Sequence, residues 1–265
     1  MNARHEHRRV AMVTGANGAI GLAICKGLVE RDFELVMVCR NPQRAKQAED
    51  EVNKVSATAS VRSEIVDLSR RDEVLVFAER YGRRLDVLVN NAAIAPKKRG
   101  ETPEGIEMEF ATNVLGYVWM MRAFEKTLRA SAPARIVNVA SHWAGDLDLD
   151  DLQFKRRPYN NDTAYRQSKQ ANRMLTVAFA RRWLASEITV NSCHPGDANS
   201  TLSNSLGYGG SESPEQAAET PIWLATDRSV AGVTGKYFAS RRQRPCEFAN
   251  DAKAIARLDE ICAGF

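Results

Sequence analysis

The chain has 265 residues, 44% of them apolar, with a formal net charge of +4; it is long enough for one large α/β domain or two small ones. Its basic residues fall in scattered pairs (Arg8-Arg9, Arg70-Arg71, Arg83-Arg84, Arg156-Arg157, Arg181-Arg182, Arg241-Arg242), which argues against a nucleic-acid-binding stripe. The five cysteines are odd in number and contain no CxxC pair, which argues against a disulfide framework and a metal site and for a cytoplasmic protein with reduced thiols.

The amino terminus, Met-Asn-Ala-Arg-His-Glu-His-Arg-Arg, lacks the apolar core of a secretory signal. No later stretch approaches the roughly eighteen uninterrupted apolar residues of a membrane span. Short runs rich in Val, Ile and Leu at 10–14, 34–39, 60–66, 85–90, 135–140, 189–193 and 235–239 read as strands. Between them, Ile20, Ala23, Ile24, Gly27 and Leu28, then Val74, Phe77, Ala78 and Tyr81, then Leu175, Ala178, Phe179 and Trp183 repeat at helical spacing. Such alternation predicts crossover connections and a parallel sheet with helices on both faces. No linker divides the chain, so residues 1–265 are expected to form a single domain. Two segments, 145–161 and 200–213, read as excursions on the substrate side.

The first strand runs into Thr14-Gly15-Ala16-Asn17-Gly18-Ala19-Ile20-Gly21 and then a helix. Small residues let the backbone turn tightly beside a pyrophosphate, and the helix start offers unpaired N–H groups to it. After the second strand stands Arg40, where an NAD site usually carries an acid. A guanidinium pairs with a 2′-phosphate that a carboxylate would repel, so the expected cofactor is NADP(H). Further along, Tyr165 and Lys169 are four apart at the start of a helical segment and share a face. An ordinary phenol, with a pKa near ~10, is a poor proton partner at neutral pH. A cation one turn away is expected to make it more acidic, and Ser141 at a strand end could hold a carbonyl oxygen.

Taken in order, the glycine turn, Asn90-Asn91-Ala92-Ala93, Asn113, Ser141, Tyr165 with Lys169, and Pro195-Gly196 resemble the short-chain dehydrogenase/reductase family over nearly the whole chain. Within it, the Cys39-Arg40 strand end, the run Tyr165 to Asn172, Cys193-His194-Pro195-Gly196 and residues 235–238 look most similar to the retinol-dehydrogenase-like branch and to bacterial secondary-metabolite ketoreductases. The resemblance implies an α/β fold, a Rossmann-type doubly wound domain with a seven-stranded parallel sheet. It implies a catalytic set of Asn113, Ser141, Tyr165 and Lys169. Cofactor contacts are implied for Gly15, Asn17, Ala19, Ile20, Gly21, Arg40, Asp67, Leu68, Asn91, Ala92, Pro195, Gly196 and Ser200, besides Tyr165 and Lys169. Homodimers or homotetramers are usual in the family, with a monomer left open by the long segment before Tyr165.

Departures from the family pattern are Ala93 in place of a glycine, Gly18-Ala19 in place of Ser/Thr-Gly, and Asp197 where an apolar residue is usual. Asp197 either recognises a cationic or hydroxyl-rich substrate or faces solvent. His142, Trp143, Asp197 and Tyr208 are the candidate substrate contacts, with residues 154–159 as a further wall and 200–213 as a lid. The activity expected is reduction of an apolar or polycyclic ketone or aldehyde, with Tyr165 as proton donor. Oxidation of a lipophilic alcohol, or redox sensing without turnover, are the alternatives.

Overall fold

The computed structural model describes residues 8–56 and 58–265; most of the amino-terminal stretch read as free of a secretory signal lies outside them. The elements run β1 (Val10–Thr14), α1 (Ala19–Val29), β2 (Glu34–Cys39), α2 (Pro42–Asn53), β3 (Val61–Ile65), α3 (Arg71–Tyr81) and β4 (Val87–Asn90). Next come α4 (Met108–Phe110), a π turn (Ala111–Leu115), α5 (Gly116–Ala123), α6 (Glu125–Ala130) and β5 (Ala134–Val139). The remainder is α7 (Asn161–Arg182), β6 (Ile188–Cys193), α8 (Thr201–Ser205), α9 (Pro214–Thr226), β7 (Tyr237–Ala239), β8 (Arg242–Arg244) and α10 (Ala252–Ala263).

The strands lie in the order β3-β2-β1-β4-β5-β6-β7-β8. β1 and β4 are buried along their whole length, as strands covered by helices on both faces must be. One face packs Phe77, Phe124, Phe179 and Trp183 in a single cluster. The other packs Ile24, Leu28, Phe33 and Met37 against the strands. The strand order reverses between β1 and β4, which run parallel, and in doubly wound sheets ligands bind in the crevice at that switch point. The glycine turn after β1 and Asn91 after β4 both stand there.

The sheet has eight strands, not the seven expected: β1 to β7 are parallel and β8 returns antiparallel to β7, with Tyr237 opposite Arg244. Ser240 and Arg241 make the connection with φ of 50° and 56°, the doubly positive turn that suits a two-residue hairpin. Neither is the glycine or asparagine that usually marks such a turn. β8 itself reads Arg-Gln-Arg and is exposed throughout, so no alternation of apolar residues betrays it.

Of the segment 145–161, expected over the substrate entrance, Asn161 at its end donates to the Ser205 carbonyl of segment 200–213 at 3.1 Å, while its middle folds on itself. The buried Asp151 carboxylate accepts the backbone N–H groups of Lys155, Arg156 and Arg157 at 2.7, 3.1 and 3.1 Å. That cap curls the segment on itself and turns Phe154, 4% exposed, and Tyr159 inward, their rings edge to face at 5.3 Å. The cavity beside Ser141 and Tyr165 is lined by neither.

Candidate active site

The cofactor end is built from close approaches. Gly15 has a φ of +63°, and a Cβ there would stand 2.7 Å from the Ala92 Cα; one on Gly21 would stand 2.2 Å from the Gly15 carbonyl oxygen. Only glycine fits both. Thr14 Oγ1 accepts the N–H groups of Asn91 and Ala92 at 2.9 and 3.1 Å, and Asn91 Nδ2 donates to the Thr14 carbonyl at 2.9 Å. Asn91 and Ala92 thus brace the turn, and the Asn91 side chain is spent on backbone. No side chain caps α1, whereas Asn41, Asn160, Ser200 and Ser213 cap α2, α7, α8 and α9. The first N–H groups of α1, beside Asn17, Ala19 and Ile20, are therefore offered to an outside acceptor, which fits a dinucleotide pyrophosphate.

Arg40 is exposed at the end of β2, with no carboxylate in salt-bridge range among the described residues. Asp67 is half-buried and its Oδ1 accepts both the N–H and the hydroxyl of Ser69, at 3.0 and 2.7 Å. Leu68 is buried, and its carbonyl oxygen and Cβ lie so close to Gly116 that a Cβ there would stand 2.9 and 3.2 Å from them.

Asn113, Ser141, Tyr165 and Lys169 are brought together. Asn113 sits in the π turn, a distortion common at functional sites, and is fully buried. Its Oδ1 accepts the Ile94 N–H at 2.9 Å while Nδ2 faces the Ile94 carbonyl at 2.9 Å and Ser168 Oγ at 3.2 Å. Lys169 is 1% exposed; its ammonium donates to the Val139 carbonyl at 3.0 Å and stands 5.6 and 5.4 Å from the ring centroids of Tyr117 and Tyr165. Burial draws its pKa down to about 8. Ser141 Oγ accepts the Trp143 N–H at 3.0 Å.

The Tyr165 phenol departs from expectation. Burial pushes its pKa above the ordinary value, and the neighbouring Ser141 hydroxyl only partly offsets this. Lys169 is bonded to a backbone carbonyl and stands over the ring, so desolvation wins over the cation's attraction in this state.

A cavity of about 540 Å³ opens onto Ser141 and Tyr165, with Ile20, His142, Trp143, Asp197, Ser200 and Tyr208 among its walls. Residues of segment 200–213 from Ser200 to Ser211 are among its lining, and part of the segment folds as α8. Gly196, with a φ of +148°, lets the chain pass: a Cβ there would strike Glu212 Oε2 at 2.0 Å and the Ala217 Cα at 3.0 Å. The Asp197 N–H donates to Glu212 Oε2 at 2.8 Å, closing the base of the lid. Asp162, which no sequence signal had marked, latches its tip: its Oδ1 accepts the Trp143 indole N–H at 2.9 Å and the Tyr208 hydroxyl at 3.0 Å.

His142 Nδ1 and His194 Nε2 lie 3.0 Å apart, with Asp197 Oδ1 at 3.8 and 3.9 Å from them. Burial and the adjoining imidazole draw the His194 pKa down to about 4. Three ligating atoms thus fall within 4.8 Å of one another. A metal-bound imidazole normally donates its far N–H to a partner, yet His194 Nδ1 is buried with none. The trio is a polar corner of a cavity whose other walls include the aromatic rings of Trp143, Tyr165 and Tyr208 and the aliphatic Leu202 and Leu206.

The family model described as short chain dehydrogenase matches residues 9–208. The chain is 33% identical to Retinol dehydrogenase 13 of Homo sapiens, over 94% of this chain and 82% of that protein. It is 34% identical to a probable oxidoreductase of Streptomyces antibioticus, over 89% and 86%. Among solved structures it is similar to an uncharacterized protein of Mycobacterium Paratuberculosis, at TM-score 0.79 and 25% identity over 97% and 92% of the two chains. It is also similar to a chain described as an NAD(P) dependent gluconate 5-dehydrogenase of Beutenbergia cavernae with bound NADP, at TM-score 0.70 and 26% identity over 87% and 94%. With the switch-point crevice and the Ser141, Tyr165 and Lys169 cluster in place, the chain belongs to the short-chain dehydrogenase family of oxidoreductases.

Proposed function

We propose that the protein is an NADP(H)-dependent reductase, one catalytic unit over its whole length, that converts a ketone or aldehyde of a bulky small molecule to the alcohol in the cytoplasm. The observation that carries the reading is the cavity floor, where the Ser141 and Tyr165 side chains meet open space with the Lys169 ammonium buried behind them. Reduced nicotinamide supplies the hydride. Ser141 holds the substrate oxygen, Tyr165 donates the proton to it, and Lys169 and Asn113 set the electrostatics beneath. Although burial raises the Tyr165 pKa, an alkoxide developing on the substrate oxygen is a stronger base than the phenolate, and that difference drives the proton's transfer.

NADP(H) rather than NAD(H) is favoured by the unpaired Arg40 guanidinium at the ribose end, by the absence of an acid there, and by the NADP bound in a similar structure. Gly15, Asn17, Ala19, Ile20, Gly21, Asp67, Leu68, Asn91, Ala92, Pro195, Gly196 and Ser200 frame the same groove. Trp143 and Tyr208, 40% and 44% exposed with rings edge to face at 5.8 Å, suit a flat apolar substrate, and His142 with Asp197 suits one carrying a hydroxyl. The names of its dehydrogenase relatives favour a second reading, oxidation of a lipophilic alcohol. Among the described residues no helix is long and apolar enough to cross a membrane.

The test is absorbance of reduced nicotinamide against a panel of ketones, aldehydes and alcohols, with NADPH and NADH in parallel. Turnover should be faster with NADPH, and Tyr165→Phe should lower kcat by about 10²-fold or more. A Tyr165→Phe enzyme as active as the wild type would refute the assignment.

A further inference from the structure

Two carboxyl groups lie inside the protein at the start of the helix that carries Asn113. Glu107 is 1% exposed, and its two oxygens accept the N–H groups of Glu109 and Phe110 at 2.9 and 2.7 Å. Burial raises the Glu107 pKa, and these two backbone donors at a helix start oppose that rise by favouring the charged form. Glu109, two residues on, is 0% exposed and has no such donors. Its Oε1 accepts Asn113 Nδ2 at 3.2 Å, its Oε2 lies 3.0 Å from the Tyr159 hydroxyl, and no Lys, Arg or His closes a salt bridge with it among the described residues.

The protons at Tyr159 can be counted. Its hydroxyl oxygen lies 2.9 Å from the Pro96 carbonyl and 3.0 Å from Glu109 Oε2. A phenol has one proton to give. Were Glu109 a carboxylate, two acceptors would compete for that proton and one would stay unmet. With the proton on Oε2, Glu109 donates to the Tyr159 oxygen and Tyr159 donates to Pro96, so both contacts of the phenol are met, while Oε1 shares the two Asn113 Nδ2 protons with the Ile94 carbonyl and Ser168 Oγ.

We infer that Glu109 is a positioning residue that works as a neutral carboxylic acid, tying the 145–161 segment to the Asn113 amide and keeping negative charge away from Tyr165 and Lys169. The web continues through Asn113 Nδ2 to Ser168 Oγ at 3.2 Å, and Ser168 donates to the Tyr165 carbonyl at 2.7 Å. Glu109 therefore joins the loop after β4, the segment before α7 and α7 itself.

The groups facing Glu109 are Glu107 on its own helix, Tyr159 on the segment, and Lys169 and Tyr165 on α7. Burial and then Glu107 raise its pKa, Tyr159 and Lys169 pull the other way, and the outcome is about 9. A charge on Glu109 would push the Tyr165 phenol further up and hold the Lys169 ammonium on its proton. Neutrality removes the first effect.

The inference rests on the reading of Tyr165 as proton donor, and the experiment separates the two. Infrared difference spectra of the full chain carrying ¹³C-labelled glutamate, wild type minus Glu109→Gln, should show at neutral pH the carbonyl band of a protonated acid. A carboxylate band in its place would overturn the inference whatever the activity. In steady-state assays Glu109→Gln, which can donate and accept at the same two points, should keep kcat within about threefold, while Glu109→Ala should lose about tenfold or more. The alkaline limb of the kcat/KM profile should move to lower pH in Glu109→Gln, because the charge that wild-type Glu109 gains at alkaline pH, and the variant cannot gain, raises the pKa values of Tyr165 and Lys169. Equal losses in the two variants, or an unmoved alkaline limb, would also overturn it. Loss of the Tyr165→Phe effect with the acid band intact would instead sink the reading of Tyr165 alone.

Discussion

Arg173 shows how a single residue can hold the site without touching a substrate. It is 7% exposed, its Nη2 donates to the Ser141 carbonyl, and its guanidinium carbon lies 3.6 Å from the Tyr237 ring centroid. Its Nε has no partner, and among the described residues no carboxylate pairs with it. A buried, unpaired cation costs stability that an apolar side chain of similar length would not. Arg173→Met should therefore leave the melting temperature unchanged or raise it, while kcat falls about tenfold as Ser141 loses its backbone anchor. The same charge helps to depress the His194 pKa, so the variant should also raise that pKa, which NMR of the ring can follow. A drop in melting temperature with full activity would assign Arg173 to folding instead. Neither Arg173 nor Glu109 was legible beforehand. Periodicity picks out apolar positions, and a lone charge inside an apolar helix reads as an interruption until its partners are known.

At the scale of elements, the ends of β1 to β7 differ from expectation by two residues at most; the inner strands were legible because burial on both faces demands apolar runs, whereas β3, Val-Arg-Ser-Glu-Ile and only partly buried, carries a weaker signal. β8 was not, since an exposed polar edge strand carries no pattern. The cofactor turn and the Tyr165–Lys169 pair were legible because short-range spacing fixes them. The path of the 145–161 segment was not legible, because it depends on Asp151 capping three N–H groups, a tertiary outcome with no periodic signature. The lid is a mixed case: its composition marks it as a loop, whereas its latch lies elsewhere, at Asp162 on α7. That carboxylate holds both Trp143 and Tyr208. Asp162→Ala should free the lid tip, raise KM about tenfold and change kcat less, because exposed groups that only order a binding wall act on uniform binding. Steady-state kinetics with a bulky and a small ketone checks this. A kcat loss equal for both substrates, with KM unmoved, would place Asp162 in the proton chemistry.

For the whole molecule, three buried groups shape stability against pH. Glu109 keeps its proton to about 9 in the fold, whereas an unfolded glutamate releases it near ~4.3. Across that window the unfolded chain binds fewer protons than the native one, so stability falls as pH rises. His194 has the opposite sign: its pKa drops from 6.5 to about 4, the unfolded chain binds more protons between those values, and stability is lost as pH falls through them. The two slopes oppose each other from about 4.5 to 6.5 and give a plateau. Above it Glu109 acts alone until Lys169, lowered from 10.5 to about 8, begins to give up in the fold a proton that the unfolded chain retains. The net loss is therefore concentrated between about 6.5 and 8, where one proton's difference over that interval is worth about 2 kcal/mol. Glu109→Gln carries no proton to lose, so its stability from urea unfolding should be nearly flat between those two pH values while the wild type declines. Parallel curves for the two proteins would mean that Glu109 is already ionised at neutral pH, and that the alkaline wall of stability is built from other groups.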